Sequence, residues 1–235
     1  MKATLPGMTA LGSTLPFCLV SILVFLLASP VLAQDSWGSD ASDSSTQSQK
    51  RTSGTRGLDG KPFQGYDAYQ GPYAQFGVTI GEIDYDGPIN VDTGGGFTMT
   101  GGYRFLAWLS AEGNVTYLGG GDAKFQGTNL GDAEYFAFTF GPKIYPLGFV
   151  DQDVVPDYFQ PYGLIGLGGG EFDIDGNGNF NGNSERSSFI ARFIFGFDVW
   201  FTNHIGTFVE GGYHAAADDD VDGAGVFSLG GQYRF

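Results

Sequence analysis

From Gly71 onward, apolar and small polar residues exchange places at nearly every step, and no 3.6-residue period appears. Alternation of this kind predicts β-strands with two unlike faces. In the first run Ala74, Phe76, Val78 and Ile80 oppose Gln75, Gly77 and Thr79. The second sets Phe97, Met99, Gly101 and Tyr103 against Thr98, Thr100, Gly102 and Arg104. The third sets Leu109, Ala111, Val115 and Tyr117 against Ser110, Glu112, Asn114 and Thr116. The fourth sets Phe136, Phe138, Phe140 and Ile144 against Thr139, Gly141 and Lys143. A fifth run, 159–170, is too rich in glycine for alternation to assign its faces. The sixth places Phe189, Ala191, Phe193, Phe195, Phe197, Val199 and Phe201 opposite Ser188, Arg192, Gly196 and Asp198. The seventh places Ile205, Val209 and Tyr213 opposite Gly206, Glu210 and Gly212. The last places Phe227, Leu229, Tyr233 and Phe235 opposite Ser228, Gly230, Gln232 and Arg234.

Eight runs of roughly 9–13 residues match the ~9–11 that carry a tilted strand across a bilayer. An even count with one apolar face predicts an all-β fold, an eight-stranded antiparallel up-and-down transmembrane β-barrel. A soluble lipocalin-like barrel is the rival, with its polar face outward. The polar face here is mostly Gly, Ser and Thr, whereas a soluble surface carries ~25–35% charged residues. The short connections, 105–107 and 202–204, read as periplasmic turns. The connection at 146–157 is longer and holds Pro146 and Pro156. The stretches 82–95, 119–132, 170–187 and 214–224 read as long Gly/Asp/Asn-rich external loops.

Composition sharpens this picture. Forty glycines in 235 residues far exceed the usual ~7% share, without a collagen-like repeat. The net charge of −15 argues against a nucleic-acid partner. The four loop stretches contain 14 acidic residues and only two bases, Lys124 and Arg186. The single cysteine, Cys18, lies in an apolar run, Phe17 to Leu27, that follows Lys2 and precedes small residues ending at Ala33. Residues 1–33 are therefore expected to be a secretory signal peptide. Residues 34–70, rich in Ser, Asp, Gln and Gly, are expected to be a disordered periplasmic linker. The barrel occupies 71–235, and no cofactor is expected.

Charges on the polar face would point into a lumen only wide enough for side chains. Buried charges must pair. Arg104, Lys143, Arg192 and Arg234 with Glu112, Asp198 and Glu210 are expected to form a lumen salt-bridge network. Its expected centre is Arg104–Glu112, with Arg192 and Glu210 close by. Asp173, Asp175 and Asn177, followed by Gly178, resemble the start of a calcium loop, although position 12 is Ser184 rather than a glutamate. They are weak Ca2+ candidates; otherwise no metal is expected. Trp108, Trp200, Tyr73, Tyr145, Tyr158 and Phe235 are candidates for a lower aromatic girdle, although parity sends the tryptophans inward. Tyr117, Tyr135 and Tyr213 are candidates for an upper one.

The hairpin Gly101-Gly102-Tyr103-Arg104-Phe105 … Trp108-Leu109-Ser110-Ala111-Glu112-Gly113 carries a resemblance to a known family. So do Pro161-Tyr162-Gly163 with Gly166 and Gly168, and the terminal Gly231-Gln232-Tyr233-Arg234-Phe235. The chain resembles the small outer-membrane barrels of the OmpA/OmpX type, the porin-family or outer-membrane β-barrel domain proteins, over 71–235. The resemblance implies the Gram-negative outer membrane, with both termini periplasmic. Outer-membrane lipids and lipopolysaccharide are the expected partners, and the barrel is expected to be a monomer. Phe227, Leu229, Tyr233 and Phe235 resemble the signal read by the barrel-assembly machinery. Unlike in OmpA, no peptidoglycan-binding domain is expected after Phe235, and a Ser/Asp-rich segment precedes the barrel. A structural, envelope-integrity or surface-interaction role is expected, with no catalysis. The alternatives are a narrow ion or solute channel, an adhesin, or a lipid A-modifying enzyme using His214 with Ser228 and Glu210.

Overall fold

The structure, a computed structural model, describes residues 56, 58–61, 69–85, 89–125, 128–149, 158–176, 184–218 and 221–235. The expected signal peptide and most of the expected linker lie outside these residues. Nine strands are described: β1 (Gly71–Tyr85), β2 (Ile89–Val91), β3 (Gly94–Leu106), β4 (Leu109–Phe125), β5 (Thr128–Ile144), β6 (Phe159–Gly176), β7 (Ser184–Trp200), β8 (Ile205–Ala216) and β9 (Val221–Arg234). Each barrel strand pairs antiparallel with its chain neighbour. β1 closes the circle against β9. The short β2 pairs with β4 beyond the end of β3, so it extends the same stave, and the barrel has eight staves.

The alternation resolves into inside and outside. Phe76, Val78, Ile80, Phe140, Phe193, Phe195 and Leu229 stand exposed on the outer wall, while Gln75, Thr79, Thr98, Thr139, Lys143 and Ser228 are buried. An outer belt of large apolar side chains is favourable against lipid and unfavourable against water. The glycine-rich fifth run takes the same rule, with Ile165 and Leu167 outside and Tyr162 and Leu164 inside.

The strands are longer than the expected spans. β6 runs 18 residues and β4, β5 and β7 run 17 each. The stretches expected as long loops are largely strand, and only residues 126–127 separate β4 from β5. Their Gly, Asp and Asn content signals turns, yet small or apolar residues keep alternating inward beneath the acids. Ile83, Val91, Leu118, Ala123, Ala133, Phe172, Val221 and Ala224 form an apolar core inside the upper end of the barrel. Much of the acid therefore stands on the strand wall. Asp122, Asp132 and Asp175 lie in register across β4, β5 and β6, and Glu134 pairs with Asp173 one step below.

Candidate functional site in the lumen

Three carboxylates enter the middle of the lumen from β4, β7 and β8, and each receives a tyrosine hydroxyl. Tyr73 donates to Glu112 at 2.8 Å, Tyr145 to Asp198 at 3.0 Å and Tyr162 to Glu210 at 2.9 Å. Lys143, fully buried, sits among them. Its Nζ is 3.7 Å from Glu112 and 3.6 Å from Asp198, and 3.5 Å from the centroid of the Tyr162 ring. The Tyr145 and Tyr73 ring centroids are 5.4 and 5.7 Å away. Arg192 bridges the layer from above, reaching Glu210 at 2.9 Å and Glu112 at 3.4 Å. Two cations, three carboxylates and three phenol donors thus share one buried layer. Buried charges at this depth are tolerable only with such pairing and added hydrogen bonds.

Glycines opposite the tyrosines make room for their rings. A Cβ on Gly102 would lie 2.4 Å from the Tyr73 ring, and one on Gly196 would lie 2.8 Å from that of Tyr162. Neutral polar side chains complete the lattice: Gln75 donates to Gln232 at 2.9 Å, and Asn114 to Thr98 and Thr100, both at 2.8 Å.

Arg104 is not the centre of this layer. Arg104 lies in register with Ser110, one step nearer the lower end than the Gly102–Glu112 pair. There it donates to Gln160 at 2.5 Å and to the carbonyls of Leu106 and Ala107, with its guanidinium 3.9 Å from the Tyr145 ring centroid. Glu112 is held instead by Lys143, Arg192 and Tyr73. Arg234 also stands apart. It donates to the Asn203 carbonyl and lies 4.7 Å from the ring centroid of Tyr69.

The girdle assignments divide. Tyr73, Tyr145 and Tyr135 belong to the lumen, all 7% exposed or less. Trp200 is buried and stacks on Tyr69 at 5.2 Å, with Tyr158 packed against the pair. Trp108 stacks on Phe149 at 4.8 Å beneath the β3–β4 turn. Tyr233 and Phe235 remain on the outer wall, edge to face at 5.2 Å, on the same side as Phe227 and Leu229. Sequence reasoning missed the three tyrosine donors. Parity, which places Tyr73 with Gln75 and Tyr145 with Lys143, was the available signal.

Above Arg192 the lumen turns apolar. Tyr135 lies on Phe172 at 4.7 Å, and its hydroxyl is 2.7 Å from Nδ1 of the buried His214. His214 therefore points into the lumen, and Ser228 pairs with Thr79 at 2.8 Å. At the upper end the two bases of the expected loops are both engaged, Lys124 with Asp92 and Arg186 with Asp218 at 3.5 Å. The hydrogen bond to Asp92 holds the Lys124 ammonium above its ordinary pKa. At the top of β1, burial, aided by the nearby Asp173 charge, pushes the Tyr85 phenol up to about 12.

Asp173 and Asp175 lie in strand β6, where Asp175 pairs with Asp132, and not in a loop. Asn177 lies outside the described residues. No group of three His, Cys, Asp or Glu side chains among the described residues is arranged to hold a metal ion.

The barrel and its lipid-facing belt fit one family, and its sequence profile, described as the outer membrane protein beta-barrel domain, matches residues 61–235. The chain belongs to that family. This places it in the Gram-negative outer membrane. Solved barrels share the fold. OprG from Pseudomonas aeruginosa is 21% identical, with a TM-score of 0.57, over 72% of this chain and 98% of that one. Neisserial surface protein A is 15% identical, TM-score 0.54, over 70% and 97%. Ail, the attachment invasion locus protein of Yersinia pestis, is 22% identical, TM-score 0.50, over 71% and 99%. No curated protein sequence matches the chain.

Proposed function

We propose that this outer-membrane barrel is a closed-lumen envelope protein, serving structure and surface interaction rather than conduction or catalysis. The layer around Lys143 carries this reading. Five charged groups and three tyrosine hydroxyls interlock across the full width of the lumen, and an apolar core lies above them. An ion crossing the barrel would have to break that pairing and then pass the Leu118, Phe172 and Ile190 layer without a polar partner. Both steps are costly in a low-dielectric interior.

In this reading the lower end, with its two-residue β3–β4 turn and the meeting of β1 and β9, faces the periplasm. The acid-bearing upper end rises outside the cell. Outer-membrane lipids and lipopolysaccharide contact the belt of Phe140, Phe193 and Phe195 and its neighbours, the barrel is a monomer, and Phe227, Leu229, Tyr233 and Phe235 serve assembly. The rows of acid on β4 to β6 make the exposed wall repulsive to polyanions and suited to cationic partners. A lipid A-modifying triad finds no support in the geometry, because His214 is engaged with Tyr135 inside the barrel and Ser228 with Thr79. Conductance of the refolded protein in a planar bilayer tests the reading.

A further inference from the structure

We infer that Tyr69, which precedes the first strand, is the stopper that closes the periplasmic end of the lumen. This rests on the closed-lumen reading above and names the group that keeps the charge layer dry from below.

Tyr69 lies in the segment whose composition predicts an unstructured linker, yet it is 2% exposed. Its ring stacks on Trp200, with the planes 28° apart. Arg234 lies 4.7 Å from the Tyr69 centroid and 5.7 Å from that of Trp200, and Arg104 lies 6.0 Å from Tyr69. Trp200 ends β7 and Arg234 ends β9, so the ring occupies the level where the wall stops. The chain reaches that position through Gly71, whose φ of +126° is a backbone conformation that side-chain-bearing residues rarely adopt. A second tie holds the same end: the Leu58 N–H donates to the Phe201 carbonyl at 2.7 Å, in the β7–β8 turn. That turn is itself fixed by Arg234, whose N–H donates to the His204 carbonyl at 2.9 Å.

The two ends of the lumen are closed by different means. The upper end is closed by many apolar side chains of the barrel wall. At the lower end a stacked aromatic pair, with the Arg234 guanidinium over both rings and that of Arg104 over Tyr69, lies one step below Asp198, which pairs with Lys143. Stacked rings of this kind, with arginine on their faces, gain cation–π energy without needing a matching cavity. Removing the Tyr69 ring therefore opens water access to the charge layer while the wall strands keep their hydrogen bonds.

Gln232, in register with Trp200 across Gly206 and only 5% exposed, is the reporter position. The full chain carrying Cys18→Ser and Gln232→Cys is expressed, and outer membranes are treated with a charged, membrane-impermeant thiol reagent. Folding is checked by heat-modifiable gel mobility. Tyr69→Ala is expected to raise the labelling rate at least roughly tenfold, the equivalent of ~1.4 kcal/mol in opening free energy. Tyr69→Phe, which keeps the ring, is expected to leave it unchanged. Tyr69→Leu replaces Tyr69→Ala if the latter does not assemble, with the same expectation. An unchanged rate in the folded Ala or Leu variant overturns the role of Tyr69 and leaves the closed-lumen reading standing. Labelling of the Gln232→Cys protein with Tyr69 intact, as fast as in the heat-unfolded protein, overturns both.

Discussion

Lys143 Nζ lies 3.5 Å from the centre of the Tyr162 ring, and the hydroxyl of that ring donates to Glu210 at 2.9 Å. The tyrosine thus serves a cation with its face and an anion with its edge. The arrangement lets one lysine stay charged among three carboxylates without bonding fully to any of them. Lys143→Met keeps the volume and removes the charge, leaving Glu112 and Asp198 under-compensated. A loss of about 3–5 kcal/mol is expected, as for other buried pairs broken on one side. Urea unfolding of the barrel in lipid vesicles measures it.

Tyr135 and His214 mark the change from charged to apolar lumen. The His214 Nε2 atom finds no hydrogen-bond partner among the described residues, so Nδ1 and its 2.7 Å contact with the Tyr135 hydroxyl carry the ring's polarity. Tyr135→Phe is expected to cost about 1–3 kcal/mol by stranding the imidazole. Tyr135→Phe combined with His214→Leu is expected to recover most of that loss, because both polar partners are then gone. The same unfolding assay, run as a double-mutant cycle, reads the difference.

Most of the wall's inside-outside order is legible in the sequence, because a period of two leaves little choice once one face is Phe-rich. Phe76 and Phe140 fall outside and Gln75 and Lys143 inside for that reason. The pairing of the charges is less legible. Alternation fixes the face of Arg104 and Glu112 but not their height, and Arg104 sits nearer the lower end, where turn carbonyls satisfy it. Tyr73 and Tyr145 have the parity of lumen residues, yet a tyrosine near a strand end also suits a membrane-interface belt. The upper strands are hidden because Gly, Asp and Asn signal turns, while the inward partners that hold them as strands, such as Ala123 and Ala133, are small. Tyr69 gives no periodic signal at all, since it lies beyond the alternating region.

Asp132 stands between Asp122 and Asp175 in cross-strand register. Like charges directly opposite one another destabilise a sheet by amounts comparable to other cross-strand pairs, ~0.2–1 kcal/mol each. Asp132→Asn is therefore expected to raise stability slightly. High salt is expected to erase the gain, since exposed charges are screened. Unfolding midpoints at low and high ionic strength check both signs.

Phe140 lies midway along the outer apolar face of β5, 59% exposed, with Ile144 below it and Glu134 above. Phe140→Arg is expected to cost about 2–4 kcal/mol in a bilayer, the penalty for a charge near the midplane of a barrel. Asp132→Arg, on the same strand and face but above the belt, is expected to show no such penalty. Comparing the two by unfolding in vesicles locates the membrane boundary on the wall.

In the proposed function, the layer of Lys143, Arg192, Glu112, Asp198 and Glu210 fills the lumen. Single-channel recording of the refolded barrel in a planar bilayer tests it most directly, with folding confirmed by heat-modifiable mobility. A baseline without steady openings is the predicted result. Reproducible, long-lived openings from the folded protein would overturn the closed lumen and make those five side chains the lining of a pore.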